Sequence, residues 1–366
     1  SGLVATTTND FRVTPGPVGL FQILSQPVGG VNGEILGGSA VGTNYTQIRL
    51  KDRFGNEISD DNNTVISAAI HSGNNGNLSG TTSARASLGL VNFDGLKLSG
   101  LVSESYTLKF TAGNTFGVST AISLSPAAPS QLTVVSKLTN ASAGVGFEPV
   151  ELRVTDFSGN LINNASGVVS AIASGGGSVD LATTALTSGT LSPVVTIGGR
   201  VGNYTITYRV AYGQTVLSAT HDVALSYGTG TRIGIVTQPA AAGTQTGGAF
   251  TPQPVVELRD AFGNRVPLAG VQVSALLHNP STSNVVQKAT YAGSTSQNVW
   301  SVADPNAENL LPTPIAVTDA NGTATFNDLA VVGIPGYSYQ LRFEAQGYLS
   351  SSPTVDFVLS TANPSE

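Results

Sequence analysis

Asp52-Arg53-Phe54-Gly55-Asn56 returns as Asp156-Phe157-Ser158-Gly159-Asn160 and again as Asp260-Ala261-Phe262-Gly263-Asn264. The step is 104 residues both times, from 52 to 156 and from 156 to 260. Each copy follows a run in which apolar and polar residues alternate: Ile48-Arg49-Leu50-Lys51, Leu152-Arg153-Val154-Thr155 and Val256-Glu257-Leu258-Arg259. A period of two places one face against a core and the other in water, which is the pattern of a half-buried antiparallel strand. The Asp can accept hydrogen bonds from amides just ahead of it, and Gly-Asn tolerates a positive φ, so the motif reads as a tight turn ending that strand. The aspartates could instead be metal ligands, but turn formation accounts for the Asp, the Gly and the Asn together. A repeat of this length, built on strands and turns, predicts an all-β chain of three equivalent units.

Working outward, each unit carries a later alternating strand: Tyr106-x-Leu108-x-Phe110, Tyr204-x-Ile206-x-Tyr208 and Tyr339-x-Leu341-x-Phe343. A last strand follows at Ala121–Leu124, Val223–Leu225 and Val355–Val358, and first strands stand at Phe21–Leu24, Leu132–Val135 and Ile233–Val236. About 100 residues per unit with this pattern predicts immunoglobulin-like β-sandwiches, whose late tyrosine closes a loop through its hydroxyl. The expected organisation is an extended arm at 1–18, sandwiches at 19–126, 127–229 and 230–361, and a tail at 362–366. The joints, Pro126-Ala127-Ala128-Pro129 and Gly228-Thr229-Gly230, are short enough to predict an elongated, semi-rigid row. The third unit is longer, with an inserted loop near 279–314 that carries the single tryptophan, Trp300, a candidate binding residue.

Composition narrows the function classes. The chain has 366 residues, 40% hydrophobic and 10% charged, with 43 glycines and 18 prolines. That composition suits many short strands and turns rather than disorder or long helices. A net charge of −6 with only 16 Lys and Arg argues against a nucleic-acid partner. No apolar run approaches the roughly 20 residues that span a bilayer. Cysteine and methionine are both absent, which excludes disulfides and thiolate chemistry. A chain opening Ser1-Gly2-Leu3 without methionine is expected to be a processed product, most simply after removal of a signal peptide.

The third unit is similar in its residues to the bacterial immunoglobulin-like repeats of invasin and intimin stalks. The stretches that carry the resemblance are Val255–Asn264 with Gly270-Val271-Gln272-Val273, and the turn Thr318-Asp319-Ala320-Asn321-Gly322 followed by Thr323–Phe326. Unit one resembles the pattern less closely, and unit two lacks the Asp-x-Asn-Gly turn. Related repeats occur in surface-layer and other large exported proteins. The resemblance implies a mechanical or assembly role at an extracellular or cell-surface location, and brings no catalytic residues with it.

A search for chemistry returns little. His71, His221 and His278 fall in different units without metal-ligand spacing, and His221 and His278, on or beside strands, read as surface or partly buried residues. No Gly-x-Ser-x-Gly elbow or phosphate loop occurs, so no enzymatic activity and no organic cofactor are expected. Asp60 and Asp61, within Ser59–Asn63, are the candidate calcium ligands, because calcium takes clustered oxygens. Seven Asn-x-Ser/Thr sequons, at Asn44, Asn62, Asn77, Asn140, Asn164, Asn203 and Asn321, allow glycosylation in an exported protein. The arm, with Leu3–Thr8 and Phe11–Thr14 both extended in pattern, either adds to a neighbour's sheet edge, folds back as its own domain's first strand, or is disordered. The expectation is therefore a structural subunit of a microbial surface layer, filament or stalk, with other copies of itself as first partner. An adhesin that grips a glycan or host protein, and accessory domains of a larger exported enzyme, are the alternatives.

Overall fold

The computed structural model describes residues 12–136, 139–147, 150–240, 244–245, 247–279, 284–287, 309–311, 314–333 and 335–361. These residues form strands and turns, with one short 3-10 turn at Ser174–Gly176 and no α-helix among them. The chain is three immunoglobulin-like β-sandwiches in tandem. In the first, strand Thr46–Asp52 lies between Val18–Ser25 and Leu90–Phe93, while Ser105–Ala112 lies between Val65–Ser72 and Thr115–Val118 on the facing sheet. In the second, Glu151–Thr155 lies between Gln131–Ser136 and Thr190–Leu191, and Gly202–Tyr212 between Gly167–Ala173 and Thr215–Ser226. In the third, Val255–Asp260 lies between Gly230–Thr237 and Thr323–Thr325, and Ser338–Glu344 between Gln272–Asn279 and Phe357–Ser360.

The repeated alternation sets the same register each time. Ile23 faces Ile48 and Phe21 faces Leu50; Val134 faces Leu152 and Leu132 faces Val154; Ile235 faces Val256 and Ile233 faces Leu258. A slip of one residue would turn every one of these apolar side chains to water, so burial of one face fixes the pairing. Leu50, Leu152 and Leu258 are wholly buried, and so are Tyr106, Tyr208, Tyr339, Phe110 and Phe343 from the late strands. Three separate hydrophobic clusters result, one inside each sandwich. Each last strand also gains a parallel neighbour: Val31 bridges to Ser125, Asn140–Ser142 pairs with Ala224–Ser226, and Thr244–Gln245 pairs with Leu359–Ser360.

One reading changes. His221 is buried rather than near the surface, since it sits on the inward face of its strand with its ring stacked 5.7 Å from that of Tyr208. The glycine run at 174–178 closes as the 3-10 turn, with Gly175 at φ 64°. His71 is exposed. Of the insertion in the third unit, Asn284–Gln287 pairs with the end of Gln272–Asn279 and Asn309–Leu311 pairs with Ala330–Val332. Trp300, residues 1–11 and the tail 362–366 lie outside the described residues. No helix among the described residues is long and apolar enough to cross a membrane.

Candidate functional site: the interdomain joints

The Asp-x-x-Gly-Asn motif closes a turn in all three copies, with Gly55, Gly159 and Gly263 at φ 87°, 87° and 83°. One carboxylate oxygen takes two amides: Phe54 and Asn56 donate to Asp52 Oδ1 at 2.9 Å, Ser158 and Asn160 to Asp156 Oδ1 at 2.9 and 3.0 Å, Phe262 and Asn264 to Asp260 Oδ1 at 2.9 Å. The other oxygen accepts the asparagine side-chain amide, at 2.8, 3.0 and 2.9 Å in turn. A positive φ at the glycine is what lets Asp and Asn face one another across the turn.

The same residues reach out of their own domain. Asn160 Nδ2 donates to the Gly100 carbonyl at 2.9 Å while its Oδ1 accepts from Val102 N at 2.9 Å. Asn264 repeats both bonds one domain further on, to Gly199 O at 2.8 Å and from Val201 N at 2.9 Å. The second oxygen of each aspartate takes an amide of the linker, from Ala127 to Asp156 at 3.0 Å and from Gly228 to Asp260 at 2.9 Å. The first joint adds Asn32, whose Nδ2 donates to Asp156 at 2.8 Å and whose Oδ1 accepts from Gly100 N at 2.8 Å. The receiving loop is held from beneath by the late tyrosine: the Tyr106 hydroxyl donates to Leu101 O at 3.2 Å and that of Tyr204 to Arg200 O at 2.8 Å. The motif is thus a turn and a clasp at once. Burial makes the clasp specific, because an unpaired polar group there loses its water without compensation.

An aromatic ring completes each joint. Gly33 and Gly144 hold φ 82° and 73°, and a Cβ on either would stand 2.7 Å from Phe157 Cζ or 2.8 Å from Phe262 Cε2. Glycine is required there on both counts, for the backbone conformation and for the ring laid over it. Phe262 packs onto the core cluster of the second sandwich. At this joint Arg200 donates to Gly263 O at 2.7 Å, and Arg232 donates to Asp260 O at 2.9 Å and also bonds the Ala261 carbonyl.

Likeness to known proteins is slight. No protein-family model matches the chain, and no curated protein matches it. Among solved structures it is similar to the D0–D1 domains of intimin, at 14% identity and TM-score 0.21, over 63% of this chain and 98% of that one. It is also similar to domains 4–9 of the surface layer protein SbsC, at 13% identity and TM-score 0.23, over 94% of this chain. The chain spans about half of that structure, 48%. A β-glucuronidase of Parabacteroides merdae shares 9% identity at TM-score 0.22, over 62% of this chain and 25% of the enzyme.

The outer end of the first sandwich carries the same groups with a different environment. Asp52 takes the amide of Gly16 at 3.1 Å, just as Asp156 and Asp260 take a linker amide. Asn56 and Phe54 are exposed, whereas Asn160 and Asn264 are buried. Hydrogen bonds from the Asn56 side chain, then from the Gly16, Asn56 and Phe54 amides, hold the Asp52 carboxyl down to about 2 against the opposing effect of burial. At Asp156 and Asp260 burial works to raise the pKa and is outweighed by donors, chiefly Asn160 and Ala127 at the former and Gly228 and Asn264 at the latter, so both are also lowered. A depressed carboxylate contributes stability that is complete above its ordinary value near ~4 and is lost as pH falls through the folded value. The expected result is loosening of the outer turn between about pH 4 and about pH 2, and of the two joints as pH falls below about 4, with stability flat from about pH 4 to neutrality, as read by urea midpoints across pH.

Of the two candidate cation ligands, Asp61 is engaged within its own loop. Asp61 Oδ1 accepts from Asn63 N and Thr64 N at 2.8 Å, and Oδ2 accepts from the Thr64 hydroxyl at 2.7 Å. These bonds fold the loop, and no group of three His, Cys, Asp or Glu side chains converges among the described residues. A chelator is expected to leave the unfolding midpoint of the first sandwich unshifted; a fall would assign a bound cation to Asp60 and Asp61.

Proposed function

We propose that the chain is a non-catalytic structural segment of a microbial surface layer, filament or stalk, built to hold successive sandwiches at a fixed angle and to join like domains, its own copies among them. The observation that supports this reading is the repeated clasp. Two consecutive joints use the same Asp, Asn and Phe groups, and each group is spent on fixing one domain to the next. A short linker alone leaves relative motion as the default. Buried, charge-assisted bonds across each joint oppose that motion.

Antibody labelling of intact cells, combined with negative-stain microscopy of the extracted assembly, tests the reading. Surface label and three-bead rods of constant length and bend are expected. Label confined to the cell interior, or rods with freely variable bends, would overturn it. An adhesin would instead lose a glycan-array signal on Trp300→Ala with its fold intact.

A further inference from the structure

The first sandwich presents a complete joint face at its outer end, and the residues leading into it carry the sequence of a last strand. In the two internal joints, the amide that binds the aspartate lies two residues after the last residue that bridges to the parallel neighbour: Ser125 before Ala127, Ser226 before Gly228. Gly16 makes that bond to Asp52, which puts Thr14 in the position of Ser125 and Ser226. Aligned this way, Phe11-Arg12-Val13-Thr14 falls on Ile122-Ser123-Leu124-Ser125, Val223-Ala224-Leu225-Ser226 and Phe357-Val358-Leu359-Ser360. The two apolar positions of those three strands are buried, at 0 and 7%, 2 and 2%, and 0 and 1% exposure. Val13, in the same position, is 76% exposed, and residues 12–17 belong to no strand, the first beginning at Val18.

The face beneath the lead-in matches. Phe54 is 75% exposed, against 52% for Phe157, and lies over no described glycine, whereas Phe157 and Phe262 each lie over a glycine of the preceding sandwich. The two bonds that Asn160 and Asn264 make to a preceding domain have no counterpart at Asn56 among the described residues. The far end of the chain offers the other half: Gly247 has φ 82°, as Gly33 and Gly144 do, and a Cβ there would meet no described heavy atom within 4 Å.

We infer that residues 12–14 belong to the last strand of a further immunoglobulin-like sandwich, one that supplies its other strands from outside residues 1–366 and seats its end on Phe54 and Asn56. The partner is defined by its chemistry. It is a sandwich with an open last-strand slot that buries Val13, with a positive-φ glycine to lie under the Phe54 ring and a loop carbonyl and amide to meet Asn56. Strand addition supplies backbone hydrogen bonds and the alternate side chains supply the fit. The inference deepens the assembly reading and rests on it.

The third sandwich itself provides a defined probe. Removing residues 356–366 deletes its last strand and leaves an open slot beside Ser338–Glu344, next to the Gly247 seat. Full-length chain added to this truncated chain is expected to form a one-to-one complex by light scattering and to restore the unfolding transition of the third sandwich. The transitions of the first two sandwiches report that the remainder of the truncated chain is folded, so a third sandwich that is unfolded alone still gives a clear readout of rescue. Val13→Asp in the donor is expected to abolish the complex. Phe54→Ala, and a free peptide of residues 1–18, are each expected to bind about tenfold more weakly or worse, since a seated aromatic is the kind of anchor that dominates such contacts. No rescue, or rescue indifferent to both Val13 and Phe54, would overturn the inference, as would self-association of the intact chain that survives Val13→Asp. Loss of rescue leaves the surface labelling untouched, and failed labelling leaves the rescue standing, so the two readings fail separately.

Discussion

Asp156→Ala is expected to cost the second sandwich about 3–5 kcal/mol and to free it from the first, because one carboxylate serves five donors in a site without water access. Those donors are the amides of Ser158, Asn160 and Ala127 and the side-chain amides of Asn160 and Asn32. Asp156 has no exposed surface, and Asn160, which it positions, is only 5% exposed. Removing the acceptor strands donors that cannot all recover water, and each buried unsatisfied group costs about 1–3 kcal/mol. Asp156→Asn keeps the shape but turns an amide toward other donors, so it should recover only part of the loss. Urea unfolding followed by domain measures the stability, and small-angle scattering measures the joint: a wider spread of interdomain angles is expected for the variant at urea concentrations where both sandwiches remain folded. Asp52→Ala should be milder, since the outer end of the first sandwich lies open and solvent can replace the lost acceptor. Equal effects at Asp52 and Asp156 would mean that the motif acts as a turn alone.

How much of this was readable beforehand depends on how local the cause is. The alternation of Ile48 and Leu50, or of Tyr339, Leu341 and Phe343, is a property of a few consecutive residues, and it placed those strands, their buried faces and the three-fold repeat. The hydroxyl bond of Tyr204 to the loop behind it followed from the same pattern. The clasp was not readable, because what separates Asn160 from an ordinary turn asparagine is a carbonyl 60 residues earlier in the chain. Asp319 shows the difficulty. It takes the amides of Asn321 and Thr323 at 2.8 and 2.9 Å in a turn of nearly the same grammar, yet it is exposed and joins nothing. A signal was present all the same. Each Asp-x-x-Gly-Asn copy carries a phenylalanine inside the turn, at 54, 157 and 262, where a solvated turn gains nothing from a large apolar side chain. Two of those rings lie on the neighbouring sandwich and the third lies in water, beneath Arg53 at 4.5 Å.

Phe343→Ala is expected to destabilise the third sandwich by about 3–5 kcal/mol and to leave the other two unchanged. The ring is wholly buried and tilts against that of Phe326 at 5.4 Å, so truncation removes both the burial of a large side chain and an aromatic contact, and leaves a cavity that the two sheets cannot close. The effect stays local because the three core clusters share no buried member: Phe343 belongs to the cluster of Leu258, Leu341 and Phe357, and the second sandwich meets the third through Phe262 and the clasp rather than through a common core. Differential calorimetry or domain-resolved urea melts should therefore show one transition moving while two stand still. If all three moved together, the joints would be coupling the sandwiches into one cooperative unit, and the clasp would contribute folding stability as well as fixing an angle. If one alone moves, the rigidity of the row comes from a small set of polar bonds laid between independent cores, and an acid pH or a single substitution at Asp156 or Asp260 can bend the row without unfolding its parts.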